Sequence, residues 1–312
     1  MPRSFVIRAS IMIAILCCGL AIPSARVAAT DRYAVGVLQK TFVRESPVWG
    51  PRTLAATIWY PALAAADASR AIVDALPAEG RFPVVVYSHG GCGGAAKAVE
   101  PVALPIVSSG FVFVQFPHPG STSDDCVSGG ERYTRALLER PDDIVHVVNE
   151  LERLNDDVSW HLHGRVETRL VGIIGHSQGG QTALMMPAKD PRVRAAFSLS
   201  PSVAHPDSPA ALWEAIRAAR VPVLIVHGER DASWTSEGPL KAFDSLPSGT
   251  PKAYLEVGGM GHTPSSSDDV SLIVRYATAL FQRYLKGDES AAAILAPSAA
   301  SAAVSFKGSL RE

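Results

Sequence analysis

The stretch Leu170-Val-Gly-Ile-Ile-Gly-His-Ser-Gln-Gly-Gly180 contains the pattern Gly-x-Ser-x-Gly between a short apolar run and a helical stretch over Gln181–Ala188. In that context the serine lies on a sharp strand-to-helix turn that exposes its hydroxyl. Glycines two residues before and after the serine let neighbouring backbone approach without a clashing Cβ atom. The helix N-terminus offers N–H groups to a developing oxyanion. The pattern therefore predicts that Ser177 is a nucleophile.

Several other apolar runs are too continuous to be half-exposed strands. They are Phe82–Tyr87, Phe111–Phe116, Ala195–Leu199, Val221–Val226 and Ala253–Val257, in addition to Leu170–Ile174. Continuous apolar runs are typical of parallel strands that are covered on both faces by helices. Two earlier segments, Tyr33–Val43 and Thr53–Tyr60, are predicted to form an antiparallel pair around turn residues at 47–51.

The segments between these strands show helical periodicity. One helical face repeats at Ile144, Val147, Val148, Leu151 and Leu154, and Pro141 is expected in the first turn of that helix. A second helical face runs from Val270 to Leu285, with Gly287 as the stop. We predict an α/β fold with a mostly parallel, eight-stranded, doubly wound sheet flanked by helices. Between Leu199 and Val221 there is room for one helix, Ala210–Ala219, and no large lid domain.

The two ends of the chain differ from this central part. Arg3 and Arg8 precede an apolar run of about a dozen residues and a small-residue site that ends at Ala29, which predicts a cleaved secretory signal peptide over residues 1–29. A membrane anchor and a lipoprotein, suggested by the pair at Cys17 and Cys18, are the alternatives. The catalytic domain is expected over residues 30–287, and residues 288–312 are expected to be a mobile tail rich in Ala and Ser.

Composition narrows the classes of partner. Apolar residues make up 47% of the 312 residues, charged residues make up 19%, and the formal net charge is −1. This composition favours a large core, and without a basic block nucleic acid is not an implied partner. After signal cleavage no other long apolar run remains, so stable membrane insertion is not expected and a secreted or periplasmic location is. The oligomeric state stays open.

A serine hydroxyl needs a base to act as a nucleophile. In chains with this motif, the acid and then the histidine follow the serine along the sequence. Three histidines lie downstream, and His262 is the one that follows the last predicted strand. We therefore assign His262 as the general base, in preference to His205 and His227. Asp231, just after the penultimate run, is predicted to orient the imidazole, with Glu229 as its rival.

The loop Ser88-His-Gly-Gly-Cys-Gly-Gly94 follows the strand Phe82–Tyr87 and matches an HGG-type oxyanion loop. We assign the backbone N–H groups of Gly91, with Cys92 as its rival, and of Gln178 as the oxyanion donors. No Gly-Lys-Ser/Thr sequence follows the glycines, so a phosphate-binding loop is not favoured.

These motifs resemble one branch of the α/β hydrolases, which contains dienelactone hydrolases, platelet-activating-factor acetylhydrolases and polyester cutinases. The resemblance rests on the segments at 82–91, 175–180, 227–231 and 261–262, and on Thr57-Ile-Trp-Tyr-Pro61, within a similarity that spans about residues 33–285. It implies an α/β-hydrolase fold, a triad of Ser177, Asp231 and His262, and oxyanion donors at Gly91 and Gln178. True dienelactone hydrolases use a cysteine nucleophile, so their substrate is not carried over.

The remaining polar residues have open or minor roles. Cys92 and Cys126 form either a disulfide that clamps the oxyanion loop or two unpaired thiols. Cys92, His176 and Trp234 are expected to contact the substrate. The pair His161 and His163 is too small a set for a metal site, and we expect neither a metal nor an organic cofactor.

We therefore predict a secreted serine hydrolase that cleaves carboxylic esters through an acyl-enzyme. The expected substrate is a small-molecule or polymeric ester, because an uncapped site suits short or exposed acyl groups. An acyltransferase would share every catalytic residue, and a peptidase of this fold usually carries a cap that this chain lacks. A non-catalytic binding protein is the alternative from outside the enzymes, and it would be expected to have lost a member of the triad.

Overall fold

The computed structural model describes residues 32–63, 69–126, 130–203, 205, 208–297 and 304–310. The signal peptide expected over residues 1–29 lies outside the described residues. Within the described part, the fold is a single mixed sheet with helices packed on both of its faces.

The strands, in chain order, are β1 (Ala34–Ser46), β2 (Gly50–Ala62), β3 (Ala71–Val73), β4 (Phe82–Ser88), β5 (Val112–Gln115), β6 (Val166–His176), β7 (Val193–Leu199), β8 (Val223–Gly228), β9 (Lys252–Val257) and β10 (Val304–Ser309). Their order across the sheet is β10-β9-β8-β7-β6-β4-β5-β2-β1-β3. Neighbours from β9 to β5 run parallel, whereas β10, β2 and β1 join antiparallel neighbours. The predicted α/β class and mostly parallel sheet are confirmed.

The helices are α1 (Ala96–Ser108), α2 (Gly130–Asn155), α3 (Gln178–Lys189), α4 (Ala210–Ala218), α5 (Glu237–Ser245) and α6 (Ser267–Lys286), and a short 3-10 helix covers Glu289–Ala293. Ser266 and Asp269 form a capping box at the start of α6, and Gly287 ends it in the left-handed conformation with φ 70°. Gly287 is therefore the stop that the sequence predicts.

Successive residues of the central strands contribute to different cores because side chains alternate across a sheet. Val85 of β4 packs in the core that contains α1 and α6, whereas Val84 and Val86 pack in the core that contains α2. This arrangement explains why the parallel strands are continuously apolar: both faces are covered.

All eight predicted strands are present, and the sheet contains two more. The first is β3, three partly exposed residues that pair with β1 at the sheet edge. The second is β10, which pairs antiparallel with β9 over six residues, from Val304 with Val257 to Ser309 with Lys252. The expectation of a mobile tail is therefore wrong for residues 304–310. Backbone hydrogen bonds to β9 order the strand, and the buried Leu310 anchors its end.

Two further expectations concern the helices. Pro141 lies inside α2 and not in its first turn, because the helix already begins at Gly130. The helix expected over residues 210–219 is confirmed as α4. In the described part of the segment between β7 and β8, α4 is the only helix, so no large lid is seen there.

The sheet order brings particular loops together. Strands β5, β4, β6, β7, β8 and β9 are adjacent and parallel, so the segments that follow them emerge at one edge. Ligand sites of open α/β sheets lie at this carboxyl edge. Every residue predicted to take part in catalysis follows one of these strands.

Candidate active site

Ser177 connects β6 directly to α3 in a backbone conformation that side-chain-bearing residues rarely adopt, with φ 56° and ψ −116°. The flanking glycines make this turn sterically feasible. A Cβ atom on Gly179 would lie 1.8 Å from the carbonyl oxygen of Ser88, and one on Gly175 would lie 2.1 Å from that of Gly179. The chain therefore forms the sharp strand-to-helix turn that the motif predicts.

Asp231 and His262 meet across the turns that follow β8 and β9. Asp231 Oδ2 lies 2.8 Å from His262 Nδ1; the carboxylate is fully buried and the imidazole is 22% exposed. The other carboxylate oxygen, Oδ1, accepts the backbone N–H groups of Ser233 and Trp234 at 2.8 and 3.0 Å. These bonds fix the carboxylate, so one oxygen is left to orient the imidazole.

Glycine again allows the approach of the two turns. A Cβ atom on Gly228 would lie 2.4 Å from the carbonyl oxygens of Gly261 and Met260. The rival acid, Glu229, is exposed and accepts the backbone N–H of Gly259 at 2.8 Å. The carboxylate that the structure pairs with His262 is that of Asp231.

Two more histidines surround this pair. His176 Nε2–H donates to the carbonyl oxygen of His262 at 2.8 Å, and the two ring centroids are 4.8 Å apart. Burial lowers the pKa of His176 to about 4, so it is neutral near pH 7. His227 Nδ1 lies 3.7 Å from Asp231 Oδ2 and burial also lowers its pKa. His176, which precedes Ser177, thus supports the loop of His262.

The segment His89–Gly94, which we call the oxyanion loop after its predicted role, lies against the turn at Ser177. A Cβ atom on Gly90 would lie 3.4 Å from Cβ of Ser177, and one on Gly91 would lie 2.7 Å from Nε2 of Gln178. The structure therefore brings Gly91 and Gln178, the two predicted oxyanion donors, side by side. Cys92, the rival donor, has φ 57° and is bonded to Cys126 with a Cα–Cα distance of 5.0 Å.

The disulfide ties the oxyanion loop to the segment that follows β5, as one of the two interpretations of these cysteines predicts. An isolated bridge between Gly93 and Thr122 joins the same two segments. Of the other residues expected to contact substrate, Trp234 is half-buried beside His205, with ring centroids 5.6 Å apart. The His205 ring stacks at 4.3 Å on Tyr133, a residue that the sequence did not single out.

Comparison with known proteins places this architecture in a family. A model of the family described as PET hydrolase-like matches residues 105–309. The chain belongs to the PET hydrolase-like family. The matched region contains Ser177, Asp231 and His262, as well as β10.

The individual relatives of this PET hydrolase-like chain share low sequence identity with it, over about half of its length. The chain is 27% identical to cutinase 2 of Thermobifida cellulosilytica over 168 residues. The aligned region covers 53% of this chain and 60% of that protein. The chain is also 27% identical to cutinase cut1 of Thermobifida fusca, over 53% of this chain and 49% of that one. Bis(hydroxyethyl) terephthalate hydrolase of Streptomyces coelicolor is 28% identical over 44% of this chain and 41% of its own length. The chain thus spans about half the length of these relatives.

Beneath the oxyanion loop, this PET hydrolase-like chain buries a polar network that the sequence interpretation missed. Arg140 and Asp143 of α2 are fully buried, and Asp143 binds Arg52 of β2 through contacts of 2.6 and 2.8 Å. His118, after β5, lies 3.0 Å from Asp143 through Nδ1. Burial lowers the pKa of His118 to about 4, whereas Arg52 and His118 hold the pKa of Asp143 low despite its burial.

One signal in the sequence could have revealed the network. Arg140 and Asp143 lie four residues before Ile144 and Val147, on the same helical face as the apolar residues of α2. Charged side chains on an apolar helical face must be paired or hydrogen-bonded when the face is buried.

The described residues contain no group of three His, Cys, Asp or Glu side chains arranged to hold a metal ion. His161 lies 2.9 Å from both Tyr60 Oη and the carbonyl oxygen of Ala75, which gives it hydrogen-bonding partners of its own. No helix in the described part of the chain combines the length and apolar character that crossing a membrane requires.

Proposed function

We propose that the chain is a serine hydrolase that cleaves carboxylic esters through a triad of Ser177, His262 and Asp231. The observation that carries the proposal is the 2.8 Å contact between Asp231 and His262 at the sheet edge where Ser177 occupies its strained turn. A carboxylate that fixes an imidazole beside such a serine activates the hydroxyl for attack on an acyl group.

In the proposed mechanism Ser177 Oγ attacks the ester carbonyl while His262 accepts the hydroxyl proton. Asp231 holds the imidazole and stabilises the imidazolium, and the N–H groups of Gly91 and Gln178 bind the oxyanion. The tetrahedral intermediate collapses, and His262 returns the proton to the departing alcohol. Water, deprotonated by His262, then attacks the acyl-enzyme and releases the acid together with free Ser177.

The comparisons support an ester as substrate. The family is described as PET hydrolase-like, and one relative is named as a hydrolase of the ester bis(hydroxyethyl) terephthalate. The absence of a large lid in the described part of the chain supports an accessible cleft, and in this proposal the adjacent aromatic rings of His205, Tyr133 and Trp234 form its rim. We propose exposed esters, including polyesters and their soluble fragments, as the substrate class.

We also propose that the enzyme is exported. The disulfide between Cys92 and Cys126 supports this proposal because such bonds persist in oxidising compartments. In this proposal residues 1–29 are removed and the following residues form one catalytic domain. Mass spectrometry of the exported protein is expected to place its N-terminus at Thr30.

The test of the proposed function is a chain-length series of p-nitrophenyl esters, with bis(hydroxyethyl) terephthalate as an aromatic diester, on wild type and Ser177→Ala. Ser177→Ala removes one oxygen and leaves the turn and its glycines in place, which makes it a matched control. Wild type is expected to hydrolyse short esters fastest, and the variant is expected to retain only background activity. Equal rates for the two proteins would reject the proposed nucleophile.

A further inference from the structure

Arg140 contacts both segments from which the proposed oxyanion donors come. Its Nη1 donates to the carbonyl oxygen of His89 at 2.5 Å, and its Nη2 donates to Oε1 of Gln178 at 2.9 Å. The guanidinium is planar and presents its donors in a fixed geometry. One rigid, fully buried group on α2 therefore sets the distance between the oxyanion loop and the first residue of α3.

Ser121 completes the grip on Gln178. Its hydroxyl accepts a hydrogen bond from Arg140 Nη2 at 2.6 Å and donates to Gln178 Oε1 at 2.7 Å. Two donors to Oε1 fix the orientation of the amide, because only the oxygen accepts. The amide nitrogen then lies over Gly91, 2.7 Å from the position that a Cβ atom would take there. Gln178 cannot rotate without losing both bonds.

The charge of Arg140 is placed differently from that of two neighbouring arginines, Arg44 of β1 and Arg52 of β2. Arg44 and Arg52 face the carboxylates of Glu139 and Asp143. Among the described residues, no carboxylate oxygen lies within 4 Å of Arg140, and its partners are a carbonyl, two hydroxyls and an amide. Burial lowers its pKa to about 10, so the guanidinium stays protonated near pH 7.

The rest of the network fixes the loop from the other side. The backbone N–H of His118 donates to His89 Nε2 at 2.9 Å, so the proton of the neutral His89 ring is on Nδ1 and points to the carbonyl oxygen of Gly90 at 2.6 Å. His118 Nε2 lies 3.1 Å from Ser88 Oγ, which also accepts a hydrogen bond from Arg140 Nη1 at 3.3 Å. These bonds hold the backbone that leads into Gly91.

We propose that Arg140 is a positioning residue for ester hydrolysis: it holds His89 and Gln178 so that the N–H groups of Gly91 and Gln178 converge on the oxyanion, and its buried charge favours that oxyanion. The inference rests on the proposed function. Preorganised donors and charges in a water-excluded site act on the transition state more than on the bound ester.

The test compares Arg140→Lys, Arg140→Gln and Ser121→Ala with Arg192→Lys. Arg192→Lys is the matched control, because it makes the same conservative change at an arginine that binds Asp190, just past the opposite end of α3 from Gln178. A fluorophosphonate probe, taken to complete reaction, counts the competent Ser177 in each protein, so kcat is expressed per labelled serine. Misfolded protein is thereby removed from the comparison.

An alkyl boronic acid supplies a readout of the oxyanion site itself. Ser177 Oγ forms a bond to boron, the Oγ proton passes to His262, and an oxygen of the tetrahedral boronate occupies the oxyanion position. We expect Arg140→Lys to lower kcat about 10-fold and Arg140→Gln about 100-fold, within the cost of losing an oxyanion donor. KM is expected to stay within about two-fold, and boronate affinity to fall in parallel with kcat.

The outcomes separate the two proposals. If wild type is not labelled and hydrolyses no ester, the proposed function fails. If wild type is labelled but kcat and boronate affinity in Arg140→Lys equal those of Arg192→Lys, the role assigned to Arg140 is overturned. Should Arg140→Gln not fold, Arg140→Lys and Ser121→Ala decide the matter, because a purely structural arginine leaves kcat per labelled serine unchanged in both.

Discussion

The disulfide between Cys92 and Cys126 allows a quantitative prediction about the oxyanion loop. The two cysteines are separated by 34 positions in the sequence. For a closed loop of that length, the chain-entropy relation gives a stabilisation of about 4 kcal/mol near room temperature. In a domain of this size that corresponds to a fall in Tm of about 10 °C when the bond is removed.

The perturbation is substitution of each cysteine by serine, singly and together, followed by urea and thermal unfolding. Each single variant removes the same bond, so both singles and the double variant are expected to lose the same free energy of unfolding. Because the bond also holds the oxyanion loop, kcat is expected to fall, by less than the roughly 100-fold cost of losing an oxyanion donor. KM for a short ester is expected to change little.

Two results would refute this reasoning. If the losses of the single variants add in the double variant, the two residues contribute independently and no bond joins them. If all three variants unfold within about 1 °C of wild type, the loop closure contributes nothing to stability. A thiol titration of denatured protein provides the control: without reductant neither Cys92 nor Cys126 should react, and with reductant both should.

Three further predictions follow from the contacts of the site. Asp231→Asn is expected to lower kcat roughly 10⁴-fold with little loss of stability, because an amide oxygen still accepts the two backbone N–H groups while the amide nitrogen faces His262 and selects the wrong tautomer; steady-state kinetics and thermal unfolding check both parts. Gly179→Ala is expected to abolish folding or activity, because its Cβ atom would lie 1.8 Å from the carbonyl oxygen of Ser88; circular dichroism and ester hydrolysis decide, and a fully active variant would contradict the turn. The pKa of His118 is about 4 in the folded protein, below its ordinary value, so the unfolded chain binds a proton that the folded chain does not, and stability is lost as the pH falls from about 6.5 to about 4. Urea unfolding between about pH 7 and pH 5 measures how steeply the free energy of unfolding changes with pH. This slope should be smaller in His118→Gln than in wild type, by up to about 1.4 kcal/mol per pH unit. Equal slopes in the two proteins would contradict the buried neutral ring.

The sequence predicts the central strands well for a physical reason. Strands such as β4 and β8 are covered on both faces, so the runs Phe82–Val86 and Val223–Val226 are continuously apolar and stand out. The edge strands lack that signal. In β10 the residues Ser305, Lys307 and Gly308 are exposed, and backbone pairing with β9 orders the strand. The sequence of this Ala- and Ser-rich segment therefore contains no pattern that predicts a strand.

The predicted start of α2 is wrong for a related reason. Proline is common in the first turn of a helix, so Pro141 suggests a beginning there. The helix in fact begins at Gly130, and its earlier turns contain Arg140 and Glu139, whose buried charges obscure the apolar periodicity. Those charges are buried because they meet partners on other elements.

The candidate site likewise contains residues that the sequence predicts and residues that it does not. Ser177, Asp231 and His262 each follow a predicted strand, and parallel strands end at one edge, so order along the chain is enough to assemble them. The contacts of Arg140 join it to residues between 19 and 52 positions away, which no local pattern encodes. Such a network becomes visible only when the elements are packed.

The assignment of Ser177 as nucleophile is decided by one labelling measurement. A fluorophosphonate probe is incubated with wild type and with Ser177→Ala, and tandem mass spectrometry locates the adduct. A single phosphonyl group on Ser177 of wild type, formed in parallel with loss of ester hydrolysis, and no adduct on the variant is the expected result. An adduct on another residue, or ester hydrolysis that survives complete labelling of Ser177, would contradict the proposed mechanism.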